Sequence, residues 1–162
     1  MRFYTEQESN DWLIAAKRKL PTKEESSVYT ASYPKEAYRY HYFAHWIATA
    51  LTYREPALLL VTEWGIWDNE NWHLYYKLRQ SYGDQRFLHE APGHLFLNYE
   101  TEELATFLQL AMLNGWGGYV LTAQNFVNLF FSHDEWIDYY ADHESNLADV
   151  RKMYEQESYK PA

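Results

Sequence analysis

The feature that most narrows the folds open to this chain is the run Ala57-Leu58-Leu59-Leu60-Val61, set off by Pro56. A continuous apolar run of this length reads as a strand covered on both faces, because a half-exposed strand alternates apolar with polar residues. The chain must therefore supply packing on both sides of a sheet. Its 162 residues, 47% of them hydrophobic, suffice for one core of that kind. The expectation is a single globular domain over 1–162, with a frayed tail at about 156–162.

Periodicity and punctuation place the other elements. Thr5 and Glu8 make a capping box, and Trp12, Leu13, Ala16 and Leu20 form a helical stripe that Pro21 stops. The β-favouring residues 28–33 read as a short strand ended by Pro34. From Glu36 to about Tyr53 apolar residues on both sides predict a widely buried helix. Asp68 or Asn69 can cap a helix with Leu74, Tyr75, Leu78 and Tyr82 inside and Gly83 at its end. Residues 86–91 and 94–98 look extended around a Pro92-Gly93 turn, so a hairpin is expected there.

Thr101 is expected to cap a helix carrying Leu104, Phe107, Leu108, Ala111 and Met112, which Gly115 ends. Residues 119–123 and 126–131 suggest a hairpin around Gln124-Asn125. Ser132 and Glu135 read as a second capping box, opening a helix through Trp136, Ile137, Tyr139 and Tyr140, with helical spacing resuming at Leu147, Val150 and Tyr154. The order αβαβα(ββ)αββα predicts an α/β or α+β class: a mixed sheet of about five strands packed by helices.

Composition removes several functions. With no Cys, thiolate catalysis and Cys-ligated zinc or iron–sulfur sites are excluded, and no motif calls for any other cofactor. The first eight residues lack the apolar stretch of a secretory signal, so a cytoplasmic, reducing location is expected. Residues 104–132 contain no charged side chain, but Gln109, Asn114, Gln124, Asn125 and three glycines interrupt them, which argues for core and against a membrane span. Residues 84–162 hold thirteen acids against four bases, whereas 1–83 hold ten of each. Only Lys17-Arg18-Lys19 resembles a phosphate-binding cluster, so nucleic acid is not an expected partner. Sixteen Tyr and seven Trp imply a core with buried hydroxyls and a wet aromatic cleft.

Five groups of residues are candidates for a site. His89, Glu90 and His94 could meet on a turn as a metal or acid/base site, although the histidines are five apart and Pro92-Gly93 break any zincin helix; a structural turn competes. His41 and His45 share a helix face without a third ligand nearby, so no metal is assigned to them. Glu63, Trp64 and Trp67 follow the apolar strand, where ligands bind in open sheets, or else close the core. An exposed Trp64–Trp67 surface would favour a homodimer. Gly115-Trp116-Gly117-Gly118 lies after a helix and before a strand, the wrong order for a phosphate loop. Asp134, Glu135, Asp138 and Asp142 make an acidic stripe on the expected C-terminal helix, suited to a basic protein partner or simply solvated.

The segment Glu63-Trp64-Gly65-Ile66-Trp67, the stretch from Leu78-Arg79-Gln80-Ser81-Tyr82-Gly83-Asp84 to Gly93-His94, and Ser132-His133-Asp134-Glu135-Trp136 together resemble an uncharacterised bacterial protein family with no known activity. The resemblance spans roughly residues 57–140 and implies no catalytic role for any of them. The leading expectation is a cytoplasmic binding module for a protein partner, in the manner of bacterial immunity or antitoxin proteins. The alternatives are a small metal-assisted hydrolase using His89, Glu90 and His94 with Glu63 or His133 in support, and a small-ligand binder with an aromatic pocket.

Overall fold

In the computed structural model, which describes residues 1–51, 55–64, 72–123 and 127–156, the chain runs β1 (Arg2–Tyr4), α1 (Glu6–Ala15), β2 (Ser27–Ser32), a 3-10 turn (Ala37–Arg39), α2 (Tyr40–Leu51), β3 (Ala57–Glu63) and α3 (Trp72–Ser81). It continues through β4 (Gly93–Phe96), α4 (Thr101–Leu113), β5 (Gly117–Thr122), β6 (Val127–Phe131), β7 (Trp136–Ala141) and α5 (Ser145–Gln156). The strands form one seven-stranded sheet in the order β1-β4-β3-β5-β6-β7-β2, antiparallel at every pairing. The class is α+β. The sheet has seven strands where about five were expected, and parallel pairs are absent among the described residues.

Register divides the side chains into two faces. Phe3, His94, Leu59, Val120, Leu129, Tyr139 and Tyr29 align across all seven strands, and the parallel row Val61, Gly118, Phe131, Ile137 and Ala31 lies on the same side. These residues pack with Phe43 and Ile47 of α2, Tyr75 of α3, Phe107 and Leu108 of α4, and Leu147 and Tyr154 of α5 in the main core. On the other face Leu58, Leu60 and Leu121 meet Leu13 of α1 in a smaller cluster. Burial of β3 on both faces follows. Ser9 of α1 sits directly over Gly93, where any Cβ would also stand 3.0 Å from Tyr4 Cβ.

Three helices end in the same way, the backbone turning left-handed so that two amides reach back to orphan carbonyls. After α4, Gly115 (φ 64°) donates to Met112 and Trp116 to Ala111; after α3, Gly83 (φ 87°) donates to Gln80 and Asp84 to Arg79. After α1 the pattern recurs, Lys17 donating to Ile14 and Arg18 to Leu13, but the left-handed residue is Lys17 (φ 55°). The helix therefore stops before Leu20, which the sequence stripe included. The Thr5–Glu8 capping box forms as expected, Glu8 N donating to Thr5 Oγ1 at 3.2 Å and Thr5 N to Glu8 Oε2 at 2.7 Å.

Some expectations are corrected. Residues 86–91 are not a strand: Asp84 accepts from Arg86 N at 2.9 Å, and Glu90 Oε2 accepts from Phe87 N at 2.7 Å, winding the segment into turns. β4 pairs instead with β1 and β3. Glu100, not Thr101, precedes the first turn of α4. The helix expected from Ser132 is a hairpin turn followed by β7. Ser132 Oγ accepts from Asp134 N at 3.1 Å, Glu135 takes φ 64°, and Trp136–Ala141 pairs on both sides. Serine and aspartate close turns with the same hydrogen bonds that cap helices, and a slot between two strands outweighs local preference. Gly65, Ile66, Trp67, the Asp68/Asn69 cap, the Gln124-Asn125 connection and the tail from 157 lie outside the described residues.

Arg79 is fully buried on α3, its guanidinium 4.5 Å from the Phe3 ring centroid and bonded to Ala91 O at 3.1 Å and Asp84 Oδ1 at 3.2 Å. Burial pushes the Asp84 carboxyl up, but Arg86 and Arg79 more than offset this and hold it below its ordinary value.

Two glycine exchanges should move stability in opposite directions. A Cβ at Gly118 meets backbone, with Val61 Cα at 2.9 Å, so Gly118→Ala should cost about 1–3 kcal/mol. Lys17→Gly relieves a left-handed lysine and should add about 0.5–1 kcal/mol. Urea unfolding of both variants tests this.

Candidate functional site

The site rests on a break in register. Val61 pairs with Gly118 and Glu63 with Gly117, so Thr62 is an extra residue on β3. Such a bulge re-aims the side chains beyond it. Strict alternation would turn Glu63 into the main core with Leu59 and Val61; instead its side chain lies across Gly117, on the face that carries Tyr119. Glycine at 117 leaves the space for that carboxylate.

There Glu63 Oε2 lies 2.8 Å from His133 Nδ1, in the turn between β6 and β7, while His133 Nε2 is 3.5 Å from Asp134 Oδ1. The bond to Glu63, with a further contribution from Asp134, raises the His133 imidazole above its ordinary value despite a small opposing effect of burial. Trp64 follows, part-exposed. Burial first, then the charges of Glu63 and Asp138, hold the Tyr119 hydroxyl above its usual value.

From this corner an aromatic row crosses the sheet: the Tyr119 and Phe130 centroids are 5.0 Å apart, those of Phe130 and Trp136 5.4 Å. Asp138, next to Phe130 in register, is fully buried. Thr30 and Tyr140 donate to its two oxygens, and Lys23 Nζ lies 2.9 Å from Oδ2 and 5.3 Å from the Trp136 ring centroid. Burial and then Asp138 push the Tyr140 hydroxyl up. Lys23 belongs to the segment between α1 and β2, which crosses this face in place of a helix.

The expected stripe of Asp134, Glu135, Asp138 and Asp142 is thus divided. Only Asp138 lies within β7; Asp134 and Glu135 fall in the turn before it and Asp142 just past its end. Asp138 is sealed beneath Lys23, whereas Asp134, Glu135 and Asp142 are exposed.

The histidine candidates separate further. His94 is walled into the main core, Nδ1 donating to Pro92 O at 3.0 Å and Nε2 accepting from the Tyr75 hydroxyl. Desolvation first, then Arg79, lower its pKa to about 3. His89 is exposed and stacked on Phe87, and Glu90 is used in capping its turn, so the three residues do not form one open site. His41 and His45 are exposed on α2, with His45 Nδ1 3.3 Å from Glu102. Among the described residues no three His, Asp or Glu side chains are placed to hold a metal. No helix among them is long and apolar enough to cross a membrane.

Sequence reasoning named Glu63, Trp64 and His133 but missed their route to one another, the bulge. It also missed Tyr119, Phe130 and Trp136 as a surface, and Lys23 altogether. Their alternation was legible, but it was read as helix over Trp136. Comparisons with protein-family models, with curated proteins and with solved structures find no match to this α+β chain.

Two titrations follow. Because the His133 pKa is raised, its stabilising effect is complete below the ordinary histidine value and is lost as pH rises through the raised one. Glu63→Gln should move the His133 midpoint down in an NMR titration; an unchanged midpoint rules out the pairing. His94 has the opposite sign. The unfolded chain binds its proton near 6.5 and the folded chain near 3, so stability should fall by about 2 kcal/mol on acidification from neutrality to pH 5. Urea midpoints against pH should show this slope, and a Tyr75→Phe/His94→Leu double variant should flatten it.

Proposed function

We propose that this chain is a protein-binding module that receives a basic segment of its partner on the half-exposed sheet face formed by Tyr119, Phe130 and Trp136. One observation carries the proposal: the face already holds an ammonium group, that of Lys23, between the Trp136 ring and the Asp138 carboxylate. Aromatic faces and buried carboxylates together attract lysine and arginine side chains. The exposed acids near the face, Glu63, Asp134 and Glu135, extend that preference, and a net charge of −9 favours encounter with a cationic partner. Masking a basic surface in this way is how an immunity or antitoxin protein of a bacterial cytoplasm would act.

A second reading has one specific observation behind it. Glu63 orients His133 through Nδ1, the arrangement of a histidine general base, although no hydroxyl or thiol nucleophile is bonded to its other nitrogen among the described residues. Turnover of ester or phosphodiester substrates, abolished by His133→Ala, would favour this chemistry over binding alone.

The binding proposal is tested with fluorescently labelled Lys/Arg-rich peptides and, as controls, acidic peptides of equal length. Basic peptides should bind saturably and more weakly as salt rises, and Phe130→Ala and Trp136→Ala should each reduce affinity about five- to thirtyfold, as for an interface anchor worth about 1–2 kcal/mol. Equal binding of acidic and basic peptides, or no effect of either substitution, overturns it.

A further inference from the structure

We propose that the cleft between residues 17–26 and the β6–β7 part of the sheet binds a small organic oxyanion, a phosphate- or carboxylate-bearing compound of metabolite size. The cleft has a volume of about 380 Å³ and is lined by Lys17, Arg18, Lys19 and Ser26 on one side and by Asn128 and Tyr140 on the other. That volume falls within the range of small-molecule sites, roughly 300–1,000 Å³.

Charge selects the ligand class. Glu25 and Asp142 also line the cleft, but each faces a cation already: Lys19 Nζ is 2.6 Å from Glu25, and Arg18 Nη1 is 3.9 Å from Asp142. Among the described residues no acid pairs with Lys17. One ammonium is therefore left over, a local reversal of sign in a chain of net charge −9. Neutral donors line the same cleft. Asn128 Oδ1 accepts from Thr122 N at 3.0 Å, which leaves the Nδ2 hydrogens for the cleft, and Ser26 adds a hydroxyl. The Tyr140 hydroxyl is committed to Asp138, so this residue offers its ring as a wall for the organic part of the ligand.

The backbone supplies an independent observation. Lys17 holds the left-handed position that closes α1, where α3 and α4 place Gly83 and Gly115. A lysine there is strained, and strain of this kind concentrates at sites that use the side chain. Favourable interaction of bases with a helix C-terminus explains Arg18 and Lys19 equally well, but it does not require the strained residue to be the cation.

The test uses the full chain, isotopically labelled, and follows amide NMR shifts on titration with inorganic phosphate, with acetate and with potassium chloride at matched ionic strength. Saturable shifts are expected at residues 17–19, 26, 128 and 140–142 with phosphate or acetate and not with chloride; whichever anion acts assigns the phosphoryl or the carboxylate class. Lys17→Gly should weaken binding at least tenfold while raising the unfolding midpoint, so lost binding cannot be ascribed to misfolding. No saturable shift with either oxyanion, an equal response to chloride, or unchanged affinity in Lys17→Gly overturns the proposal.

Discussion

The alternation of side chains along β3 is the constraint on which the other layers depend. Leu59 and Val61 enter the main core while Leu58 and Leu60 enter the smaller one under α1, so neither face of this strand can be left wet. Antiparallel pairing carries the same division outward to both sheet edges. The break in it at Thr62 has a close-packed cause and a polar effect. Gly118 lets the two backbones approach, and Glu63 is turned out of the core to reach His133. A carboxylate facing the core at that point would have had no partner to offset its desolvation.

The second face shows how a sheet surface can be covered without a helix. α1 shields only the part near β4 and β3; beyond it the polar segment ahead of β2 crosses the strands, held by Lys23 on Asp138 and by Arg18 Nε on Ala123 O at 3.2 Å. A segment rich in charge leaves gaps that an apolar helix would fill. This explains how a half-exposed aromatic row and a polar cleft lie side by side on one surface, with acids at the Glu63 end and the unpaired lysine at the other. The main core, by contrast, takes its polar groups fully inside: Arg79, Asp84 and His94 are each bonded there.

Much of the fold was legible because its signals are local. The apolar run of β3, the stripes of α2 and α4, the β5–β6 hairpin and the glycines ending α3 and α4 depend on neighbours in sequence. What failed depends on distant ones. β1 has three residues and exists only because β4 lies open beside it. β7 looks helical in sequence because Ser132 and Glu135 mimic a capping box ahead of Trp136, Ile137, Tyr139 and Tyr140; its alternation has meaning only once β6 and β2 flank it. For the site, residue type pointed to Glu63 and His133. Nothing local announces that a one-residue bulge joins them, or that Lys23 crosses to Asp138.

The order of strands limits which pairings can form early. Both outermost strands, β1 and β2, come from the first 32 residues, whereas their partners β4 and β7 are made much later. During synthesis these early strands have nothing to pair with, and β2 must wait until β7, nearly the last element, has emerged. The interior strands β3, β5 and β6 can pair without β1 and β2, which the N-terminal arm adds at the two edges. Such long-range closure is slow, and until it occurs the flanks of β4 and β7 present unpaired backbone to any neighbouring chain.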